Sequence, residues 1–153
     1  MQFKWHLIIG LITSLAIVYL FNLSIITGLI IFLSSWLIDI DHYFWYSIEM
    51  KDWSPMHAIS WYKKSIPKWH SLTLRQREEF KRGAFIFHGI IFWAVLLSIS
   101  FLSKIFLWIF IGVMIHMIMD WVDLINEGEP LYNKIFPFMV IRRNKNKKGL
   151  GEL

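Results

Sequence analysis

The chain has 153 residues, 56% of them apolar, with 9 Trp, 13 Phe, no Cys and a formal net charge of +5; its mean hydropathy is +0.49. Charge is confined to blocks between apolar runs, which excludes an ordinary soluble domain, and the lack of Cys excludes disulfides and thiolate metal sites. The basic residues gather in Lys51–Arg82 and Lys134–Lys148, as expected of cytoplasmic segments facing anionic lipid heads; no base-reading motif accompanies them, so nucleic acid is not an expected partner.

The first residues, MQFK, precede an apolar stretch as in a secretory signal. The stretch runs too far and no A-x-A-like cleavage site follows, so it reads as a retained membrane helix. Leu7 to Ile38 is 32 residues without a charge, too long for one ordinary span and slightly short for two of about 20 residues. At its centre Asn22-Leu23-Ser24 combines a turn former with an N-cap, which favours a helical hairpin. The choice matters, because in one continuous helix His6 and Asp39 would stand about 50 Å apart, whereas a hairpin returns them to one side.

Glu49–Arg82 is polar and interleaves Trp53, Trp61, Tyr62 and Trp69 with its charges, a pattern for a segment lying on the membrane surface. Pro55 and Pro67 are expected to break it into pieces, and Thr73 with Gln76 reads as a capping box opening a helix that runs on into the next span. Ala84–Leu102 and Ile105–Ile125 are two further apolar runs joined at Ser103-Lys104, and Gly128 and Pro130 stop the last. Leu131–Ile141, with Pro137 in it, is expected at the interface. The expected fold is all-α, an integral-membrane four-helix bundle forming one domain over residues 1–141. Its spans lie near 4–21, 24–44, 84–102 and 105–125, with an interfacial segment over 45–83 and a basic tail over 142–153. Four spans put the N-terminus, Glu49–Arg82 and the tail on one side, where nearly all the Lys and Arg fall; the positive-inside rule makes that side cytoplasmic, in a multi-pass cell-membrane protein.

This topology carries every intramembrane titratable group to one end. His6 opens the first span, Asp39-Ile40-Asp41-His42 closes the second, His88 lies about one turn into the third, and His116, Asp120 and Asp123 occupy the cytoplasmic half of the fourth. In Gly112–Asp123 the helical turn of about 100° per residue places His116, Asp120 and Asp123 on one face, and a His four residues before an Asp can present two donors to one ion. Polar groups at such depth are costly and are kept where they meet a partner; a seam of hydrogen bonds between helices is the alternative use of them. Together Asp39, Asp41, His42, His6, His88, His116 and Asp120 offer seven N and O donors. One tetrahedral Zn²⁺ needs three or four, so the set suits two ions, or one ion with outer partners. Two ions about 3.5–4 Å apart would suit hydrolysis of a phosphate ester. Zn, Mn and Fe are all compatible with mixed His and carboxylate donors. Asp41 would point away from Asp39 on a continuing helix, which leaves it behind a ligand or on a frayed end. Asp123 is a candidate ligand, orienter of His116 or general base, and His57 and His70 read as solvent-facing. The Trp residues read as interface anchors rather than a substrate box, and Lys63, Lys64, Arg75, Arg77 and Arg82 as solvated positive-inside charge.

Trp5-His6, the D-I-D-H of Asp39–His42 and the G-x-x-x-H-x-x-x-D of Gly112–Asp120, in this order, resemble the YdjM-type family of membrane-bound metal-dependent hydrolases; Phe136-Pro137-Phe138 is similar to the family's closing segment. The resemblance implies that His6, Asp39, Asp41, His42, His116 and Asp120 are metal ligands, in an arrangement similar to zinc-dependent phospholipase C. The family's H-R-G-x-T-H-S has no full counterpart: Lys81-Arg82-Gly83 is followed only later by His88-Gly89, with His88 or His70 standing for its second His. The expected activity is hydrolysis of a phosphate ester or phospholipid at the cytoplasmic leaflet, with one or two Zn as cofactor and membrane lipid as partner. A haem-binding electron carrier using two of His6, His88 and His116, and a metal or proton transporter, are the competing expectations.

Overall fold

Asn22 adopts a left-handed backbone (φ 50°) and the Ser24 hydroxyl accepts from the Thr27 N–H at 3.2 Å, so the first 32-residue apolar stretch turns back on itself. The computed structural model describes residues 3–149 and 151, and places helix α1 at Phe3–Leu20 and α2 at Ile25–Leu37, packed side by side as the expected hairpin. Met1, Gln2 and tail residues 150, 152 and 153 lie outside the described residues. Among those described the fold is all-helical, with no strand and one isolated bridge, Phe80 to Lys148.

The second expected span is not one uniform helix. At Ile38–Asp39 the backbone tightens: Asp39 N–H reaches Trp36 O at 3.4 Å, Asp41 N–H reaches Ile38 O at 3.4 Å and His42 N–H reaches Asp39 O at 3.0 Å. These i to i−3 bonds eclipse residues three apart, which stacks Asp39 and His42 on one side as the chain enters α3 (Ile40–Met50). Lys51 (φ 53°) ends α3. Asp52 then accepts from Tyr46 Oη at 2.9 Å and the Ser54 N–H at 2.9 Å, and pairs with His57 Nδ1 at 2.8 Å. The Ser54 N–H first, and then His57, hold the Asp52 carboxyl below its ordinary value.

Helix α4 (Pro55–Ser71) folds back on α3. Pro55 sits in its first turn, where a missing N–H costs nothing, but Pro67 lies inside the helix without ending it. The expected break at Pro67 is therefore absent. The Thr73–Gln76 capping box is present, yet α5 (Leu74–Arg77) ends after one turn and does not run into the next span. Residues 81–89 are non-helical, so α6 begins only at Ile90 and spans Ile90–Ser100 rather than 84–102. The reason lies in contacts from distant parts of the chain: a Cβ at Gly89 would stand 2.8 Å from the Pro137 ring, and the Phe87 N–H is taken by Asp41 Oδ2 at 3.2 Å rather than by a helical carbonyl. Helix α7 (Lys104–Asn126) is capped by Ser103, and α8 (Tyr132–Ile135) and α9 (Pro137–Arg143) close the chain.

Helix α2 packs on α7, α1 against both, and α6 on α7. Gly10 faces Ser35 and Gly112 faces Ile31, so α1 runs antiparallel to α2 while α2 and α7 run the same way. Both hairpin turns thus lie at one end and the polar residues at the other. Ile38, Leu96, Val113 and Met117 form the buried core, flanked by Phe92, Trp93 and Ile109. Ile25–Met50, across the tightened turn, and α7 are long and apolar enough to cross a membrane; α1 and α6 are apolar but shorter. At about 1.5 Å per residue, α6 covers about half a hydrocarbon core.

Gly112 lets α2 and α7 touch, because a Cβ there would overlap the Ile31 carbonyl, which cannot move aside. Gly112→Ala is expected to lower the thermal unfolding midpoint, with a net cost of about 1–2 kcal/mol after the gain in helix propensity. Gly10→Ala, which would meet the Ser35 hydroxyl, is expected to cost less because a hydroxyl can rotate away; equal losses in the two variants would refute this reading of the contact.

Candidate metal centre

The α2–α7 contact brings the Ser35 carbonyl against His116 Nδ1 at 2.9 Å. A carbonyl only accepts, so Nδ1 carries a proton and Nε2 is the nitrogen turned inward. On the facing turn before α6, His88 Nδ1 stands 2.9 Å from Asp41 Oδ2, which fixes the second ring in the same sense. The two Nε2 atoms then face each other at 3.1 Å, both side chains fully buried. Two imidazole nitrogens at that distance share either a proton or a cation.

Two carboxylates complete the enclosure. Asp39 Oδ1 is 3.4 Å from His116 Nε2 and 3.7 Å from His88 Nε2; Asp120 Oδ2 is 3.5 Å and 3.3 Å from the same atoms. A zinc ion with bonds of about 2.0–2.1 Å needs donors about 3.3–3.4 Å apart at tetrahedral angles. The measured separations bracket that edge. His6 adds its Nε2 at 3.4 Å from Asp120 Oδ1, with its ring stacked on His116 at 4.1 Å, and its buried Nδ1 has no hydrogen-bond partner. Three overlapping groups (His6, Asp39 and His116; Asp39, His42 and His88; His88, His116 and Asp120) hold donor atoms close enough to share an ion. These buried His and Asp residues fit a metal ion, by donor chemistry and by spacing.

The expected convergence of His6, Asp39, His42, His88, His116 and Asp120 is thus what the structure has. Asp41 stands behind His88 and orients its ring in the carboxylate–histidine pairing that outer partners of metal sites use. His88, and not His70, joins the cluster from the segment before α6. His70 is exposed and meets Glu127 at 3.4 Å, and His57 is exposed against Asp52. Asp123 is half-buried about one turn beyond Asp120 and is not among the described residues whose donors converge.

Sequence reasoning missed Lys134. Instead of lying in a surface segment, α8 points its Nζ at Asp120 Oδ2, 2.8 Å away, and to 3.3 Å from His42 Nε2. A lone Lys inside the apolar Leu131–Ile141 run was the available signal. Three of the tryptophans do more than the sequence suggested: Trp45, Trp61 and Trp69, with Phe85, wall a cleft of about 230 Å³ that His42 and Lys134 also line. His42 stacks on Phe85 at 3.8 Å, and Tyr62 Oη donates to the His42 carbonyl at 2.8 Å. Burial, then the charges of Asp41 and Asp39, raises the Tyr62 phenol above its ordinary range and keeps it a donor.

Arg77 and Arg82 are also not solvated surface charge. Arg77 is buried and donates to Glu129 Oε1 at 3.0 Å and to Glu127 at 3.4 Å, while Arg82 pairs with the other Glu129 oxygen and with Glu78 at 2.9 Å. The pairs join the α4–α5 corner to the turn after α7, beneath the cleft. Neither a family model, nor a curated protein, nor a solved structure matches the chain.

Proposed function

We propose that the protein is an integral-membrane, metal-dependent hydrolase that cleaves a phosphate ester, that of a phospholipid, at the cytoplasmic leaflet. The observation that carries this reading is the pair of inward Nε2 atoms of His88 and His116, 3.1 Å apart and enclosed by Asp39 and Asp120. In this proposal His6, His88, His116, Asp39 and Asp120 hold a divalent ion, zinc being the best match to the spacing and Mn or Fe the alternatives. A bound ion would polarise a phosphoryl oxygen and make water a nucleophile at neutral pH. The chain's own groups do the rest. Asp41 and the Ser35 carbonyl fix the two rings, the Phe85 stack and the Tyr62 bond hold His42 at the mouth, and the tryptophan walls receive the apolar part of the ester. The resemblance of the motif order to that of the YdjM-type hydrolases supports the same assignment.

Membrane placement in four spans rests on the outer faces, and the cytoplasmic side of both termini and Glu49–Arg82 on their Lys and Arg. Ile12, Leu15, Ile91, Val95, Ile118 and Val122 are each more than half exposed on α1, α6 and α7, a pattern that water disfavours and lipid accommodates. The stretch before the short α6 is tolerated at depth only where its backbone is satisfied, as the Asp41 bond to Phe87 does. A haem held between His88 and His116 is disfavoured, since Asp39 and Asp120 crowd the same narrow gap.

Zinc-loaded protein mixed with phospholipid vesicles, and separately with a small chromogenic phosphodiester, is expected to release product. Chelation and His116→Ala should each abolish release. Full metal occupancy with no turnover of either ester would reduce the proposal to a metal-binding membrane protein.

A further inference from the structure

We propose that this centre holds a single divalent ion and that the Lys134 ammonium occupies the place of a second cation, so that a phosphate is gripped by one ion and one lysine. The proposal deepens the metal reading above and rests on it. Position is the first argument. Lys134 Nζ lies 2.8 Å from Asp120 Oδ2 and 3.3 Å from His42 Nε2, and His42 Nε2 in turn lies 3.5 Å from Asp39 Oδ1. Asp39, His42 and His88 form the donor group that would ligate a second ion beside the first, and the ammonium already sits against His42 of that group and against Asp120. His6 groups with Asp39 and His116, two of the residues of the first position.

The lysine is built in. Its side chain is only 12% exposed, the Phe85 ring lies 4.6 Å from Nζ, and the neighbouring Asn133 anchors α8 by donating to Glu129 at 3.4 Å. Charge is the second argument. Asp39, Asp41 and Asp120 carry three negative charges at the centre. One divalent ion and one ammonium neutralise them, whereas two divalent ions and the ammonium would leave two positive charges in excess around fully buried rings. Uncompensated buried charge is expensive.

Access is the third argument. Of the centre's residues His42 and Lys134 line the cleft, so an entering anion meets the ammonium on its way to the ion. A lysine is a compact point charge suited to a phosphate oxygen, and unlike an ion it cannot be lost by dilution.

The test is elemental analysis of the full-length protein, saturated with zinc and passed through gel filtration, for wild type, Lys134→Glu and Lys134→Met. One equivalent is expected in wild type and two in Lys134→Glu, where a fourth carboxylate replaces the cation. Lys134→Met, close in shape, is expected to admit the second ion when the gel-filtration buffer itself carries zinc, measured beside wild type in the same buffer, and it carries the test if the Glu variant fails to fold. Two equivalents in wild type, or one in both variants, would overturn the proposal while leaving the metal reading intact. No zinc in wild type would overturn both together.

Discussion

Replacing His116 by alanine is expected to abolish tight divalent-metal binding and, with it, the extra stability that the ion confers. His116 Nε2 faces each of the other three donors of the enclosure: 3.1 Å to His88, 3.4 Å to Asp39 and 3.5 Å to Asp120. Loss of an outer partner costs metal sites about 10–100-fold in affinity, so Asp41→Asn, which loosens His88, should fall in that range. Removal of a ligand should exceed it. An ion present at about 100 times its dissociation constant stabilises the folded state by about 2.7 kcal/mol; wild type should show that shift in thermal unfolding with and without chelator, and His116→Ala should show none. A variant that bound zinc as tightly as wild type would place the ion elsewhere.

The second large effect concerns Glu129. It is 5% exposed and accepts from Arg77, Arg82 and Asn133. Glu129→Ala would leave Arg77, itself 5% exposed, without its closest carboxylate, and breaking a buried pair in this way costs about 3–5 kcal/mol. Against a total stability of about 5–15 kcal/mol, that loss is expected to appear as a large drop in the unfolding midpoint. Glu127 touches the same Arg77 at 3.4 Å but is more exposed, so Glu127→Ala should cost about 1 kcal/mol or less. Comparable midpoints for the two variants would show that burial does not set the value of this network.

How far the sequence spoke depended on the range of the physics involved. The Asn22–Ser24 turn was legible because a left-handed backbone and a side-chain cap are local requirements, met by residues within one turn. The His116–Asp120 face followed from helical periodicity, and the gathering of His6, Asp39, His42 and His88 followed from counting apolar runs and returning each to the same side. The late start of α6 was not legible. An apolar run from Ala84 reads as helix, and only the Asp41 carboxylate, 46 residues away along the chain, captures the Phe87 N–H. Pro67 likewise reads as a break, yet it lies inside α4.

By itself the sequence therefore determined an all-helical chain with a hairpin at its start and a set of His and Asp brought to one end. Those features depend on periodicity, capping and apolar length, which act over a few residues. Only the tertiary structure decided which imidazole nitrogens turn inward, that Asp41 stands behind His88, that Lys134 reaches Asp120, and that three tryptophans wall a cleft. Each of those is a contact between groups far apart in the chain, set by how closely α2 and α7 approach at Gly112 and by where the segments after α3 and α7 fold back.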